Sequence, residues 1–172
     1  VGAFTVLWTG NRLQVKNGTR VIWESVANES FVRAGTQQLD AHELRGSFTV
    51  NENIATQCTD QTISSFTQNG TEVVFKGRLT GNTACATNYT LTFTQPITGH
   101  LRFKLNIDNS AVNYSELAYS STADERFHGF GEQFSVLNMK GKTVPVLSEE
   151  GGVGRGHQPI TAAVNLGSKG AA

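Results

Sequence analysis

The sequence is poor in several features that would indicate particular architectures or partners. It has only two cysteines, three prolines and one methionine, and no apolar run near the roughly 18 residues that span a bilayer. Its 14 basic residues balance its 14 acidic residues, and no Lys/Arg run favours nucleic acid or an anionic membrane as a partner. The chain has the length of one domain, and a domain of that size can bury a stable core without disulfides or metals to hold it together.

The two cysteines and the asparagines carry the clearest signal about the compartment. Cys58 and Cys85 have no further cysteine or histidine at metal-ligand spacing, which leaves a disulfide or two buried thiols. Five N-glycosylation sequons occur, at Asn17, Asn28, Asn69, Asn88 and Asn113. Because disulfides and N-glycans form in the same compartment, the sequence favours a secreted glycoprotein with a Cys58–Cys85 bridge. The alternative is a β protein whose Thr- and Asn-rich composition produces sequons.

Side-chain alternation with a period of two predicts β-strands along most of the chain. Residues 100–107 and 88–95 both alternate in this way and are expected to pair. Pro96 is expected to end the earlier strand, since proline cannot donate to the ladder. Asn17-Gly18 lies between two alternating runs and predicts a hairpin with a type I′ turn.

Many short strands with turn signals between them predict an all-β chain, folded as an antiparallel β-sandwich. Gly46 and Gly77 are candidate bulges within further strands. The segment STADERF, residues 121–127, predicts the one helical turn. After about residue 120 glycine becomes frequent and alternation weakens, which indicates long shaped loops of the same domain, residues 1–172.

No catalytic or cofactor motif is complete. Gly141-Lys142-Thr143 lacks the upstream glycine of a phosphate-binding loop, and no G-x-S-x-G motif occurs. None of the four histidines has a second histidine four residues away, the spacing that places two metal ligands on one face of a helix. Glu149 and Glu150 would point to opposite faces of an extended chain, which is poor geometry for paired acid/base chemistry. The sequence therefore predicts no catalytic residue, no metal site and no cofactor.

Residues 126–156 carry a resemblance to a known family. Their sequence, RFHGFGEQFSVLNMKGKTVPVLSEEGGVGRG, resembles the end of the N-terminal β-sandwich of glycoside hydrolase family 31, where a phrase like F-x-G-x-G-E-Q precedes the catalytic barrel. Within that family the run is most similar to the sulfoquinovosidase branch, with α-glucosidases as relatives. The resemblance covers the whole chain in pattern but is specific only over these residues.

The resemblance implies a galactose-mutarotase-like sandwich that is incomplete at its C-terminal end. Glycine-rich loops in residues 126–172 would lead toward a (β/α)₈ barrel, in the same precursor or on a separate chain. In this family a retaining mechanism uses two aspartates, and both belong to the barrel. Asp40, Asp60, Asp108 and Asp124 stand in contexts unlike the catalytic motifs. The chain is therefore expected to be an accessory domain that is not catalytic alone.

The resemblance also implies a role for the loops, because sandwich loops of this family reach toward the substrate pocket. Four residues are expected to contact sugar hydroxyls or an anionic substituent at the rim: Gln133, Lys140, Arg155 and His157. Gly129 and Gly131 would allow a sharp turn that Glu132 fixes by hydrogen bonds. The alternative function is a stand-alone carbohydrate-binding or structural module with stacking platforms at Trp8, Trp23 or Tyr119.

Overall fold

A computed structural model describes residues 1–44, 47–128, 133–134, 137–144, 153–154 and 164–165. Two compact units can be distinguished within the chain. Unit 1 comprises residues 1–36 and 55–120, and unit 2 comprises residues 37–54 and 121–172. Gly46, one of the two candidate bulges, and residues 145–152, which include Glu149 and Glu150, lie outside the described residues.

The described residues form strands and no helix, and none of them belongs to a helix that could cross a membrane. The strands are β1 Phe4–Trp8, β2 Leu13–Asn17, β3 Arg20–Glu24, β4 Val32–Leu44, β5 Ser47–Cys58, β6 Asp60–Asn69, β7 Glu72–Thr80, β8 Thr87–Ile97, β9 His100–Ile107, β10 Tyr114–Leu117, β11 Gln133–Phe134, β12 Thr143–Val144, β13 Val153–Gly154 and β14 Val164–Asn165. The larger sheets have the orders β1-β2-β3, β10-β4-β5 and β6-β7-β8-β9. Their described pairs are antiparallel, and the predicted β-sandwich is confirmed.

The hairpin predicted around Asn17-Gly18 is confirmed, but its turn is shifted by one residue. Asn17 pairs with Arg20, so Gly18 and Thr19 form the loop. Only Gly18 has a positive φ, 58°, which fits glycine at the first central position of a type II′ turn rather than the predicted type I′ turn. The β6–β7 hairpin repeats this arrangement, with Gly70 also at a φ of 58°.

The predicted pairing of β8 with β9 is confirmed, with Leu91 opposite Leu105 and Phe93 opposite Phe103. The expectation that Pro96 ends β8 is wrong, because β8 continues to Ile97. The register between β8 and β9 shifts between Thr94 and Ile97. Pro96 therefore occupies an irregular part of the ladder, where a missing N–H removes no regular hydrogen bond.

The bulge expected at Gly77 lies instead on the opposite strand. Ile63 pairs with Gly77 and Ser65 with Lys76, so Ser64 is the extra residue of β6. Gly77 is required for another reason: a Cβ there would lie 2.0 Å from the Thr62 carbonyl oxygen. The glycine thus permits a close approach between strands rather than an extra residue.

The core of unit 1 is built from the inward-facing residues of all three larger sheets. Its buried members include Leu13 and Val15 of β2, Val32 of β4, and Phe75 and Phe93 of β7 and β8. Aromatic rings fill its centre, and the Phe75 ring lies within 6.3 Å of four other aromatic rings, centroid to centroid. Burial of such large rings supplies much of the apolar area that stabilises the unit.

A buried hydrogen-bond network crosses this core. The side-chain Oε1 of Gln61 accepts hydrogen bonds from the backbone N–H groups of Phe31 and Val32, both at 2.9 Å. Its Nε2 donates to the Tyr89 hydroxyl at 2.6 Å, and that hydroxyl donates to the Thr62 carbonyl at 3.4 Å. One side chain therefore satisfies two backbone donors that lie at and before the start of β4.

Burial raises the pKa of Tyr89 from its ordinary value of 10.0 to about 12, although the hydrogen bond from Gln61 acts in the opposite direction. The unfolded chain loses this proton first, so stability present below pH 10 falls as the pH rises toward 12. We expect a loss of roughly 2 kcal/mol by pH 12 from this group. Urea unfolding at several alkaline pH values measures it, and Tyr89→Phe should flatten that part of the profile. An unchanged alkaline slope in the variant would contradict the assignment.

Cys58 and Cys85 form a disulfide, with Cα atoms 5.9 Å apart, and both residues are buried in unit 1. The bridge joins the end of β5 to the connection between β7 and β8. The sequence favoured this bridge over two buried thiols, and the predicted disulfide is confirmed. The described residues include no free cysteine.

In unit 2, the helical turn expected at residues 121–127 is not a helix. The Glu125 N–H donates to the Thr122 carbonyl at 3.2 Å, which closes a single turn, and the Arg126 guanidinium then bonds the Asp124 and Glu125 carbonyls. These carbonyls are therefore capped by a side chain instead of by further helical N–H groups.

Candidate functional site

Two chain segments of unit 2 are held together by one asparagine, and we call them the rim loops: residues 121–128 and 137–142. The Asn138 side-chain oxygen accepts hydrogen bonds from the backbone N–H groups of Phe127, at 3.1 Å, and Lys140, at 3.2 Å. The Met139 N–H donates to the Phe127 carbonyl at 2.8 Å. Met139 is buried. The rim loops are thus fixed by backbone contacts, as a site built on loops requires.

Lys140 is the predicted rim residue whose side chain the structure describes. Its ammonium donates to the Ser121 hydroxyl at 3.3 Å and to the Thr122 carbonyl. An ammonium has three N–H donors, so one of them has no partner among the described residues. The neighbouring Lys142 is exposed, and Gly141 between the two lysines has a φ of 72°, a conformation that favours glycine.

The charges of the rim loops are mixed. A hydrogen bond from the Thr122 side chain is the main cause that lowers the pKa of Asp124, helped by its own backbone and by the charges of Arg126 and Lys140. Asp124 is fully exposed and stays ionised at neutral pH. The rim loops contain three cations, Arg126, Lys140 and Lys142, and two carboxylates, Asp124 and Glu125. They therefore carry a small excess of positive charge.

The other predicted site residues of this segment cannot be placed by their side chains. Gln133 begins β11, and its backbone pairs in parallel with Val153. Arg155 and His157 lie outside the described residues, as do the predicted turn residues Gly129, Gly131 and Glu132. Their roles remain predictions.

No metal centre is formed where the structure describes side chains, since no three His, Cys, Asp or Glu residues cluster there. His42 lies 3.2 Å from the Asp40 carboxylate on an exposed stretch of β4. His128 Nδ1 lies 2.9 Å from the Leu137 carbonyl, and His100 Nδ1 lies 3.3 Å from the Thr98 carbonyl. These three histidines make ordinary local contacts.

A cavity that the sequence did not predict lies in unit 1. It has a volume of about 450 Å³, and we call it the Trp8 cavity. Its lining comes from three separate chain segments and includes Trp8, Asn11, Asn28, Glu29, Phe31 and Gln61. No local pattern marks such a site, because its walls meet only in the folded sheet arrangement. The one local signal is Asn28, a non-glycine residue with a φ of 61°.

Trp8 forms the aromatic wall of this cavity. Its ring packs against Phe31 and Phe75, with centroid distances of 6.2 and 6.3 Å, and the residue is half-buried. The alternative function required exposed stacking platforms. Trp23 also packs inward, with its ring 5.6 Å from Phe103 and 6.3 Å from Tyr119. It does not line the Trp8 cavity, so of these two tryptophans Trp8 is the better candidate for a stacking platform.

A second cleft lies on unit 1, on the outer face of the four-stranded sheet. Its volume is about 510 Å³, and its lining includes Lys76, Arg78, Asn88 and Asp108. The Arg78 guanidinium donates to the Asn88 side-chain oxygen at 3.2 Å. Tyr89, its one aromatic lining residue, is 1% exposed, so this cleft offers charged and polar groups without an accessible ring.

All five sequon asparagines are exposed, which glycan attachment requires. Asn17 and Asn69 directly precede the two glycine turns of the β2–β3 and β6–β7 hairpins. Asn28 borders the Trp8 cavity, and Asn88 borders the second cleft. Occupancy of these sites stays a prediction.

Comparison with known proteins gives a sequence match and a fold match that are both to sulfoquinovosidases. No protein-family profile matches the chain. Over 60 residues the chain is 37% identical to the sulfoquinovosidase of Escherichia coli strain K12, a match that covers 35% of this chain and 9% of that protein.

The fold is similar to that of a solved structure, a family 31 sulfoquinovosidase from E. rectale in complex with an aza-sugar inhibitor. The TM-score is 0.65 at 19% identity, and the match covers 87% of this chain but 21% of that one. The chain thus spans about a fifth of the solved protein's length. The resemblance to glycoside hydrolase family 31 is confirmed by both comparisons.

Proposed function

We propose that this chain is the N-terminal β-sandwich domain of a retaining family 31 α-glycosidase of the sulfoquinovosidase or α-glucosidase type. The observation that carries the proposal is the agreement of two separate comparisons on sulfoquinovosidases, one by sequence and one by fold. Both relatives are much longer than this chain, which supports a domain that works beside a larger catalytic part. That part would be a (β/α)₈ barrel that holds both catalytic carboxylates.

In this proposal the rim loops border the substrate pocket of the barrel. Two observations support this: the backbone around Asn138 is fixed by hydrogen bonds, and the ammonium of Lys140 has one N–H donor without a partner among the described residues. A small excess of positive charge at the loops suits a substrate with an anionic substituent, such as a sulfonated sugar. Gln133, Arg155 and His157 would complete the rim.

The parent protein is proposed to be secreted or otherwise exported to an oxidising compartment. The buried Cys58–Cys85 disulfide supports this, because such bonds persist mainly outside the reducing cytosol. The exposure of every sequon asparagine is compatible with glycans.

The experiment compares the chain alone with the protein encoded by its complete gene. We expect only a protein that includes the barrel to hydrolyse 4-nitrophenyl α-sulfoquinovoside or 4-nitrophenyl α-glucoside, since the sequence predicts no paired carboxylate site in this chain. Sustained turnover of either substrate by the purified chain would contradict the proposal. So would a complete gene that encodes no barrel, which would favour the stand-alone module.

Within the active protein, Lys140→Ala should raise KM for the sulfonated substrate about tenfold with little change in kcat. The reason is that a charged hydrogen bond made equally in the ground and transition states contributes about 1.5 kcal/mol of uniform binding. Lys142→Ala is the matched control, because Lys142 is an exposed lysine on the same turn. Equal effects of the two substitutions on KM would argue against a specific role for Lys140.

A further inference from the structure

We propose that the Trp8 cavity binds an uncharged pyranose ring, which gives this domain a saccharide site of its own. The inference does not depend on the proposed function, since the cavity lies wholly within unit 1. Its volume of about 450 Å³ falls within the roughly 300 to 1,000 Å³ typical of small-molecule sites.

The wall chemistry suits a sugar ring. A pyranose presents C–H groups on its faces and hydroxyls around its edge, so it needs an apolar surface together with hydrogen-bonding groups. Trp8 supplies an aromatic surface held in place by Phe31 and Phe75, and the face of such a ring carries partial negative charge that attracts C–H groups.

Polar groups that the fold leaves unused line the same cavity. Asn11 accepts one hydrogen bond from the Thr9 hydroxyl at 2.9 Å, and its side-chain nitrogen has no partner among the described residues. The Asn28 side chain likewise makes no hydrogen bond to any described residue, although its backbone N–H bonds the Asn11 carbonyl at 2.9 Å. Amides offer both donors and acceptors, which matches sugar hydroxyls. Gln61 already makes three side-chain hydrogen bonds within the core, so it serves as a wall.

Charge restricts the ligand further. Glu29 is the one charged residue that lines the cavity in the described part of the chain. The nearest cation to it, Arg33, lies 3.9 Å from its carboxylate and is not part of the lining. A cavity with a carboxylate and no lining cation disfavours sulfonated or phosphorylated sugars. The second cleft has the opposite character, with Lys76 and Arg78 but no accessible ring.

The test uses the chain produced in a host without N-glycosylation, so that the Asn28 amide is unmodified. Maltose and methyl α-glucopyranoside are titrated while the NMR signals of the Trp8 indole and the Asn11 and Asn28 amides are followed; methyl α-sulfoquinovoside is the anionic comparison. We expect saturable shifts at these signals with the two neutral sugars, and affinity at least tenfold lower for the sulfonated sugar. Absence of saturable shifts at these signals, or equal affinity for the anion, would overturn the proposal.

Two variants separate binding from folding. Trp8→Leu should abolish the shifts but removes part of the core as well. Asn28→Gly removes only the amide, and glycine tolerates the positive φ of this position. We expect it to weaken neutral-sugar binding by about three- to tenfold with no loss of stability. Asn88→Ala, in the second cleft, should leave the affinity unchanged; equal affinities of Asn28→Gly and the unmodified chain would contradict the site.

Discussion

Phe75→Ala is expected to destabilise unit 1 by about 4 kcal/mol, within the range of roughly 3 to 5 kcal/mol for removing a buried phenylalanine. Phe75 is completely buried, and its ring contacts Trp8, Phe31, Phe66 and Phe93. These partners belong to different strands and to the loop before β4, so the space left by the ring cannot be closed by moving one element. The loss combines apolar transfer with an unfilled cavity.

The measurement is urea unfolding followed by circular dichroism, with Phe66→Ala as the control. Phe66 stacks on Phe75 at 4.3 Å but is 38% exposed, so we expect it to cost about 1.5 kcal/mol. If Phe75→Ala does not fold, Phe75→Leu gives the readable variant, with an expected loss near 1.5 kcal/mol. Equal losses for Phe66→Ala and Phe75→Ala would refute the central position assigned to Phe75.

Loss of the Cys58–Cys85 disulfide is expected to lower the free energy of unfolding by about 3.5 kcal/mol. The cysteines are 27 residues apart, and the chain-entropy relation gives this value for a loop of that size. Both residues are 0% exposed, so the bridge also lies in the packed core rather than in a tolerant surface loop.

Cys58→Ala/Cys85→Ala is compared with the unmodified chain, each with and without dithiothreitol. Reductant should lower the urea midpoint of the unmodified chain toward that of the double variant and leave the variant's midpoint unchanged. A double variant as stable as the oxidised chain would mean that the unfolded state gains no freedom when the bridge is removed.

The parts of the fold that the sequence predicted are those set by neighbouring residues. The period of two in β8 and β9 determines which residues face inward, and a glycine after an asparagine marks both hairpin turns. The predictions of a strand end at Pro96 and a bulge at Gly77 were wrong for a related reason. Whether a proline breaks a ladder, or a glycine makes a bulge, depends on the register of the opposite strand, which the residue's own segment does not contain.

The candidate sites were harder to predict, because their residues are distant in sequence. Lys140 was identified through a family phrase, but its contacts to Ser121 and Thr122 cross a gap of 18 residues or more. The Trp8 cavity joins a β1 tryptophan to the loop before β4 and the start of β6. Composition and periodicity do not show which distant residues come into contact, because that depends on how the strands pack.

Position 61 should accept almost no substitution over evolutionary time. Gln61 must present an acceptor to two backbone N–H groups and a donor to a hydroxyl at the same moment. Asparagine has the same groups on a shorter stem, glutamate lacks the donor at neutral pH, and leucine lacks both. Homologues that keep this arrangement of strands are therefore expected to retain glutamine here as faithfully as they retain their aromatic core.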